Sequence, residues 1–272
     1  MDDGRMDNEQ QFRSYNEADL AEQGFQFPEL IDTPYFVELR EEFLGARKHG
    51  FRPGVRNYCT LLRSLQKVHV YNAQHASSFA KRFRNEQNNT NCCHAIYAEL
   101  LVYAHYIPLV YEGVIQGIEL EGREADVILL RPDGGRVFME VFCITPKIEY
   151  DERKISAVSI QTHTKEAMSG VRQKLLKKIE KQGQFSKPRE NYAVIELNHH
   201  SIANNFTVPA SLSDGYKVQI DTVTRKAVDE GYDWSDSVFE LPGTKWLKGV
   251  IWFSLGDYAN RNLLLNPKFQ KS

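Results

Sequence analysis

Asp126-Val-Ile-Leu-Leu130, Arg131-Pro-Asp-Gly-Gly135 and Arg136-Val-Phe-Met-Glu-Val-Phe-Cys-Ile144 form one continuous stretch, and its reading decides the fold. Two runs rich in β-branched and large apolar residues flank a Pro-Asp-Gly-Gly turn, the pattern of an antiparallel hairpin. Along the second run Glu140 shares a face with Phe138, Phe142 and Ile144, while Val137, Met139, Val141 and Cys143 take the other. Both faces are apolar, so this is a central strand with a carboxylate inside it. Asp126 opens the first run and Glu140 lies late in the second, so antiparallel pairing brings them to the same end of the ribbon.

Working outward, the chain divides into residues 1–30, a polar flexible tail; 31–90, a helical N-terminal subdomain; and 91–272, an α/β domain. Phe36, Leu39, Phe43, Leu61, Leu62, Leu65 and Val68 recur at helical intervals. Gln87-Asn-Asn-Thr-Asn91 is a break, with Thr90 or Asn91 as the cap of a helix that carries Glu99 in the apolar run Ala95-Ile-Tyr-Ala-Glu-Leu-Leu-Val-Tyr103. Beyond it the expected elements are strands at Ile107–Val114, Asp126–Arg131 and Arg136–Ile144, then a long helix ending near Gly183. A strand at Tyr192–Leu197, a helix at Lys217–Asp229 and a strand at Gly249–Leu255 follow. A helix between the third and fourth strands implies a crossover, hence a mixed sheet flanked by helices.

The chain has 272 residues, with 34 Lys and Arg against 36 Asp and Glu, a formal charge of −2. That balance excludes a protein that coats nucleic acid by bulk electrostatics, so any polyanion site must be local. Cys59, Cys92, Cys93 and Cys143 have no disulfide-framework spacing and point to a reducing compartment. No apolar run reaches the roughly 18 residues of a membrane span, and the N-terminus is acidic, so the expectation is a cytoplasmic protein without a membrane partner.

Glu99, Asp126 and Glu140 each sit in apolar surroundings, where an ionised carboxylate needs a cation, a metal or a raised pKa. Two converging carboxylates favour a hard dication, Mg²⁺ or Mn²⁺, and point to metal-assisted hydrolysis. Cys92-Cys93-His94 lacks the two-residue gap of a zinc knuckle, and His199-His200 at a strand end carries no specific chemistry. There is no Gly-x-Ser-x-Gly elbow and no phosphate-cradling glycine loop.

The order Glu99 on a helix, Asp126 entering the second strand and Glu140-Val141-Phe142 in the third resembles the PD-(D/E)XK nuclease superfamily, over roughly residues 91–200. The resemblance implies a restriction-endonuclease-like fold. It also implies a metal held by Asp126, Glu140 and the Val141 carbonyl, with Glu99 as a further metal or water ligand, and nucleic acid, most simply DNA, as substrate. The sequence departs from the pattern at Phe142, where the family has its Lys, the residue that orients water and stabilises developing charge. Some related families carry that Lys on the following helix. There Gln161, Lys165, Met168, Arg172, Leu175, Leu176 and Ile179 form one stripe. Lys165 is therefore the expected migrated cation, with Arg172 next and Gln161 as a supporting nucleic-acid donor. Lys174 and Lys178, on the other side of the helix, are candidates for phosphate contact. The alternative is a degenerate copy of the fold that binds nucleic acid or a protein without cutting, with the N-terminal helices as a recognition or homodimerisation element.

Overall fold

The computed structural model describes residues 25–48, 53–121, 125–144, 157–182, 185, 188–198, 206–214 and 216–269. The chain parts into two compact units at Leu100/Leu101.

The first unit is helical: α1 (Pro34–Lys48), α2 (Pro53–Tyr71), α3 (Ala73–Glu86) and the first half of α4 (Thr90–Tyr111). Asn72 caps α3, its Oδ1 accepting from the Gln74 and His75 N–H groups. The cap of α4 is Asn89, one position before the expected pair, with its Oδ1 accepting from Cys92 N–H at 3.2 Å. Tyr35 stacks on Phe83 with Phe36 edge-on to both, joined by His94, whose Nδ1 meets the Tyr35 hydroxyl at 2.8 Å. Burial pushes the His94 ring down to about 4, so it is neutral there.

Helix α4 is apolar all round, and Ile96, Tyr97, Ala98, Leu100, Val102 and Tyr103 are all buried, as such a helix must be. It continues through Pro108 to Tyr111, so the strand expected at Ile107–Val114 is instead the helix's last turn and its cap. Gly113 takes φ +73°, and Val114 N–H reaches back to Leu109 O at 2.9 Å, a glycine-terminated helix end.

The second unit carries a six-stranded mixed sheet in the order β1 (Gly117–Glu121), β2 (Ala125–Leu130), β3 (Arg136–Ile144), β4 (Glu190–Leu197), β7 (Leu247–Ser254), β8 (Asn262–Leu265). Strands β1, β2 and β3 are antiparallel neighbours, β3, β4 and β7 are parallel, and β8 closes the edge antiparallel to β7. The β2–β3 turn is set by Gly134 at φ +82° and by Asp133 Oδ1 accepting from Gly135 N–H. Helix α5 (Ala157–Gln182) makes the crossover from β3 to β4, and its Val171, Leu175 and Ile179 pack on Phe142, Ile144, Ala193, Ile195 and Trp252. The opposite face, with Val141, Cys143, Val194 and Phe253, is also buried.

The helix expected at Lys217–Asp229 is a separate hairpin, β5 (Tyr216–Ile220) with β6 (Ala227–Tyr232). Tyr216, Val218 and Ile220 alternate with Lys217 and Gln219, a period of two, and Asp221 builds the turn by accepting from the Val223 and Thr224 N–H groups. A one-and-a-half-turn helix, α6 (Thr207–Leu212), packs against α5. Among the described residues no helix is long and apolar enough to cross a membrane.

Candidate active site

The β2–β3 register runs from the Leu130–Arg136 pair to the Val127–Met139 pair, and Asp126 lies just beyond it, where β2 shifts register against β1. Glu140 shares a face of β3 with Phe142 and Ile144, which pack against α5. The Asp126 Oδ2 accepts the Val141 N–H at 2.8 Å, so the backbone amide of the strand it faces fixes one end of that carboxylate.

Glu140 is buried, and its Oε1 forms an ion pair with the Lys178 ammonium from α5. One turn earlier on the helix, Lys174 Nζ donates to the Cys143 carbonyl at 2.5 Å. Both lysines reach along the helix toward β3, Lys178 partly buried and Lys174 exposed. The buried stripe explains why: Val171, Leu175 and Ile179 touch the sheet, which places Lys174 and Lys178 at its flank. Arg172 turns elsewhere, its Nη1 lying 3.4 Å from the Ser213 carbonyl beyond α6. Gln161 and Lys165 fall in α5, but their side chains lie outside the described residues. Phe142 is 5 % exposed and belongs to the core between sheet and helix, so nothing polar replaces the motif Lys at that position.

Glu99 belongs to the first unit and is gripped by Arg82 through two bonds, Nη1 to Oε2 at 2.5 Å and Nη2 to Oε1 at 2.8 Å. A planar guanidinium on a carboxylate is the strongest compensation a buried acid finds short of a metal. Sequence reasoning missed this partner, although Arg82 lies one helix upstream on an otherwise polar surface.

A third buried acid, beside Glu99 and Glu140, was also missed. Glu196 in β4 is 1 % exposed, on the opposite face of the sheet from Glu140. Its Oε1 accepts from Gly256 N–H at 3.0 Å, its Oε2 finds no hydrogen-bond donor, and Cys143 is its register neighbour on β3. Burial pushes its carboxyl up to about 7, against the opposing pull of the Cys143 thiol and the Gly256 amide. The signal was legible as the single acid in Val194-Ile-Glu-Leu197.

Among the described residues no three His, Cys, Asp or Glu side chains gather as a metal cage. The donors at the β2–β3 site are oxygens from two carboxylates, which suits a hard dication of the kind held by one or two carboxylates with water and substrate phosphate completing the shell. Glu140 already holds the Lys178 charge, so a dication there would have to share that carboxylate with it. No family model matches the chain, and neither a curated protein nor a solved structure matches it.

Proposed function

We propose that the chain is a metal-dependent phosphodiesterase acting on nucleic acid, with a restriction-endonuclease-like core of the PD-(D/E)XK type. The observation that carries the reading is the Asp126 carboxylate held on the N–H of Val141, the residue after Glu140, with the Lys178 ammonium on Glu140. The chain order supports it too: a helix, three antiparallel strands, a crossover helix and a parallel fourth strand.

In this reading Asp126 and Glu140 hold Mg²⁺ or Mn²⁺, which when bound neutralises phosphate charge and lowers the pKa of water. Asp126 is positioned by the Val141 N–H, so its outer oxygen is oriented before any ligand arrives. Lys178 takes the role left open at Phe142. It answers Glu140 in the resting protein and offers the same ammonium to a phosphate oxygen where negative charge grows. Lys174, anchored on the Cys143 carbonyl, stands one turn away as a second phosphate-facing cation. Glu99, already neutralised by Arg82, has no role in this scheme.

The test is cleavage of plasmid and single-stranded DNA in Mg²⁺, Mn²⁺ or EDTA, beside Asp126→Ala, Glu140→Gln and Lys178→Met. Metal-dependent cleavage should vanish in the first two and fall by 10²-fold or more in the third, about the scale of one lost charge-stabilising donor. The competing reading, a degenerate copy that binds without cutting, draws on the same Lys178–Glu140 pair, because an ion pair that already satisfies the acid needs no metal. Binding without cleavage in every metal would favour it.

A further inference from the structure

Strands β3, β4 and β7 run parallel and start at one rim of the sheet, where Val137 is level with Glu190 and Asn191 with Leu247. Five cations gather there: Arg131 at the end of β2, Arg136 and Arg189 at the starts of β3 and β4, and Lys245 and Lys248 around the start of β7. Among the described residues two carboxylates answer them: Glu119 takes Arg136, and Glu190 takes both Arg131 and Lys248.

Aromatic rings lie beneath these cations. The Arg189 guanidinium lies 4.0 Å from the centroid of Phe138 and that of Arg136 lies 5.2 Å from the same ring. Lys245 stands 5.1 Å from Trp246, and Lys248 5.8 Å from Tyr192. A cation laid on a ring has lost much of its side-chain freedom before a ligand arrives, which lowers the cost of binding an anion. Two guanidiniums flanking one ring repel each other, and an anion bridging them relieves that. Arg136, Phe138 and Arg189 lie on the face that holds Glu140, and Arg136 precedes Glu140 by four strand residues, about 13 Å, or about four base-pair steps along the B-DNA axis.

We infer that this rim, centred on Arg136 and Arg189 over Phe138 with Lys245 beside them, is a contact surface for the phosphate backbone of nucleic acid. The inference rests on the nucleic-acid reading above and adds to it the element that holds the strand away from the carboxylates. The contacts are to phosphate, so binding through the rim is independent of base sequence.

The experiment measures anisotropy of a fluorescein-labelled 20-base-pair duplex and its single strand with the full chain in EDTA, over a salt series. Arg136→Gln/Arg189→Gln should weaken binding several-fold at low salt and reduce the log–log salt slope by about 1.8 for the duplex and about 1.4 for the single strand. Arg136→Gln/Lys245→Gln, which leaves the Arg189–Phe138 stack in place, should do the same if the first pair fails to fold by thermal melting. Lys177→Ala/Lys226→Ala, two exposed cations elsewhere, should bind as the parent does. Parent-like affinity and slope in both rim variants, an equal loss in the control, or no binding by the parent overturns the inference. A cleavage assay run in parallel separates the two claims. Cleavage abolished by Asp126→Ala beside unaffected rim variants sinks the rim alone, and rim-dependent binding without cleavage in any metal sinks the nuclease reading alone.

Discussion

Glu140 lies in an apolar strand with its charge answered by Lys178, which the helical wheel had placed on the other side of α5 as a phosphate-contact candidate. From the sequence alone, two carboxylates meet with no cation between them, and an amide at Asp126 or Glu140 relieves repulsion and raises stability. The Lys178 ion pair reverses the sign for Glu140. Glu140→Gln should cost about 2 kcal/mol in urea unfolding, below the 3–5 kcal/mol of a fully buried pair because the Lys178 side chain is 26 % exposed. Lys178→Met should cost a similar amount, and the double variant less than the sum of the two. Strictly additive losses would show that the pair contributes nothing to stability. On the other sheet face Glu196 behaves oppositely. Its carboxyl is pushed up to about 7 from 4.5, so the folded protein holds a proton that the unfolded chain has released. The stability this proton confers is complete below pH 4.5 and is lost as pH rises through 7, a fall of about 3 kcal/mol. Glu196→Gln keeps an oxygen for Gly256 N–H and cannot ionise, so unfolding free energies at pH 5 and pH 8 should differ less in the variant, and it should be the more stable protein at pH 8. An unchanged pH slope would mean Glu196 is not the titrating group.

At the scale of elements, Gly249 decides how β8 closes the sheet. A Cβ there would lie 2.8 Å from the Leu264 carbonyl and 3.3 Å from a Leu263 methyl, and the backbone contact cannot give way without moving the strand. Gly249→Ala should cost about 1–3 kcal/mol and speed amide exchange in Asn262–Leu265 before the rest of the sheet. The β2–β3 hairpin and the crossover were legible because strand alternation and a Pro-Asp-Gly-Gly turn are local signals that tertiary packing reinforces. Elsewhere a local signal was present and outweighed. Ile107–Val114 has the composition of a strand, yet the helix before it runs on until Gly113 stops it. The β5–β6 hairpin carries a clear period of two that a search for 3.6 passes over, and four-residue β8 is too short to show any period. The partner of Glu140 was hidden for a different reason. Which side of α5 faces the sheet follows from Val171, Leu175 and Ile179, and choosing Arg172 and Lys165 as part of the apolar stripe turned the helix by enough to put Lys178 outside.

At the scale of the whole molecule, the chain has two units, and its three tryptophans, Trp234, Trp246 and Trp252, all belong to the second. Tryptophan fluorescence therefore reports the sheet that bears Asp126 and Glu140, whatever the helical unit does, and a melt followed this way does not require the two units to unfold together. A ligand that binds only the folded sheet stabilises it by RT ln(1 + [L]/Kd), about 1.4 kcal/mol at ten times Kd. For a unit of this size that is a rise of roughly 3–5 °C in Tm. Mg²⁺ should produce such a rise in the parent. Asp126→Asn should abolish it while leaving the metal-free melt close to that of the parent, because the amide oxygen can still accept the Val141 N–H. Lys178→Met should respond to Mg²⁺ at lower concentration than the parent, since the ammonium and the dication compete for Glu140. If Mg²⁺ leaves the parent and Lys178→Met equally unmoved, the two carboxylates and their lysine form a closed ion-pair network, and the β2–β3 site holds no metal.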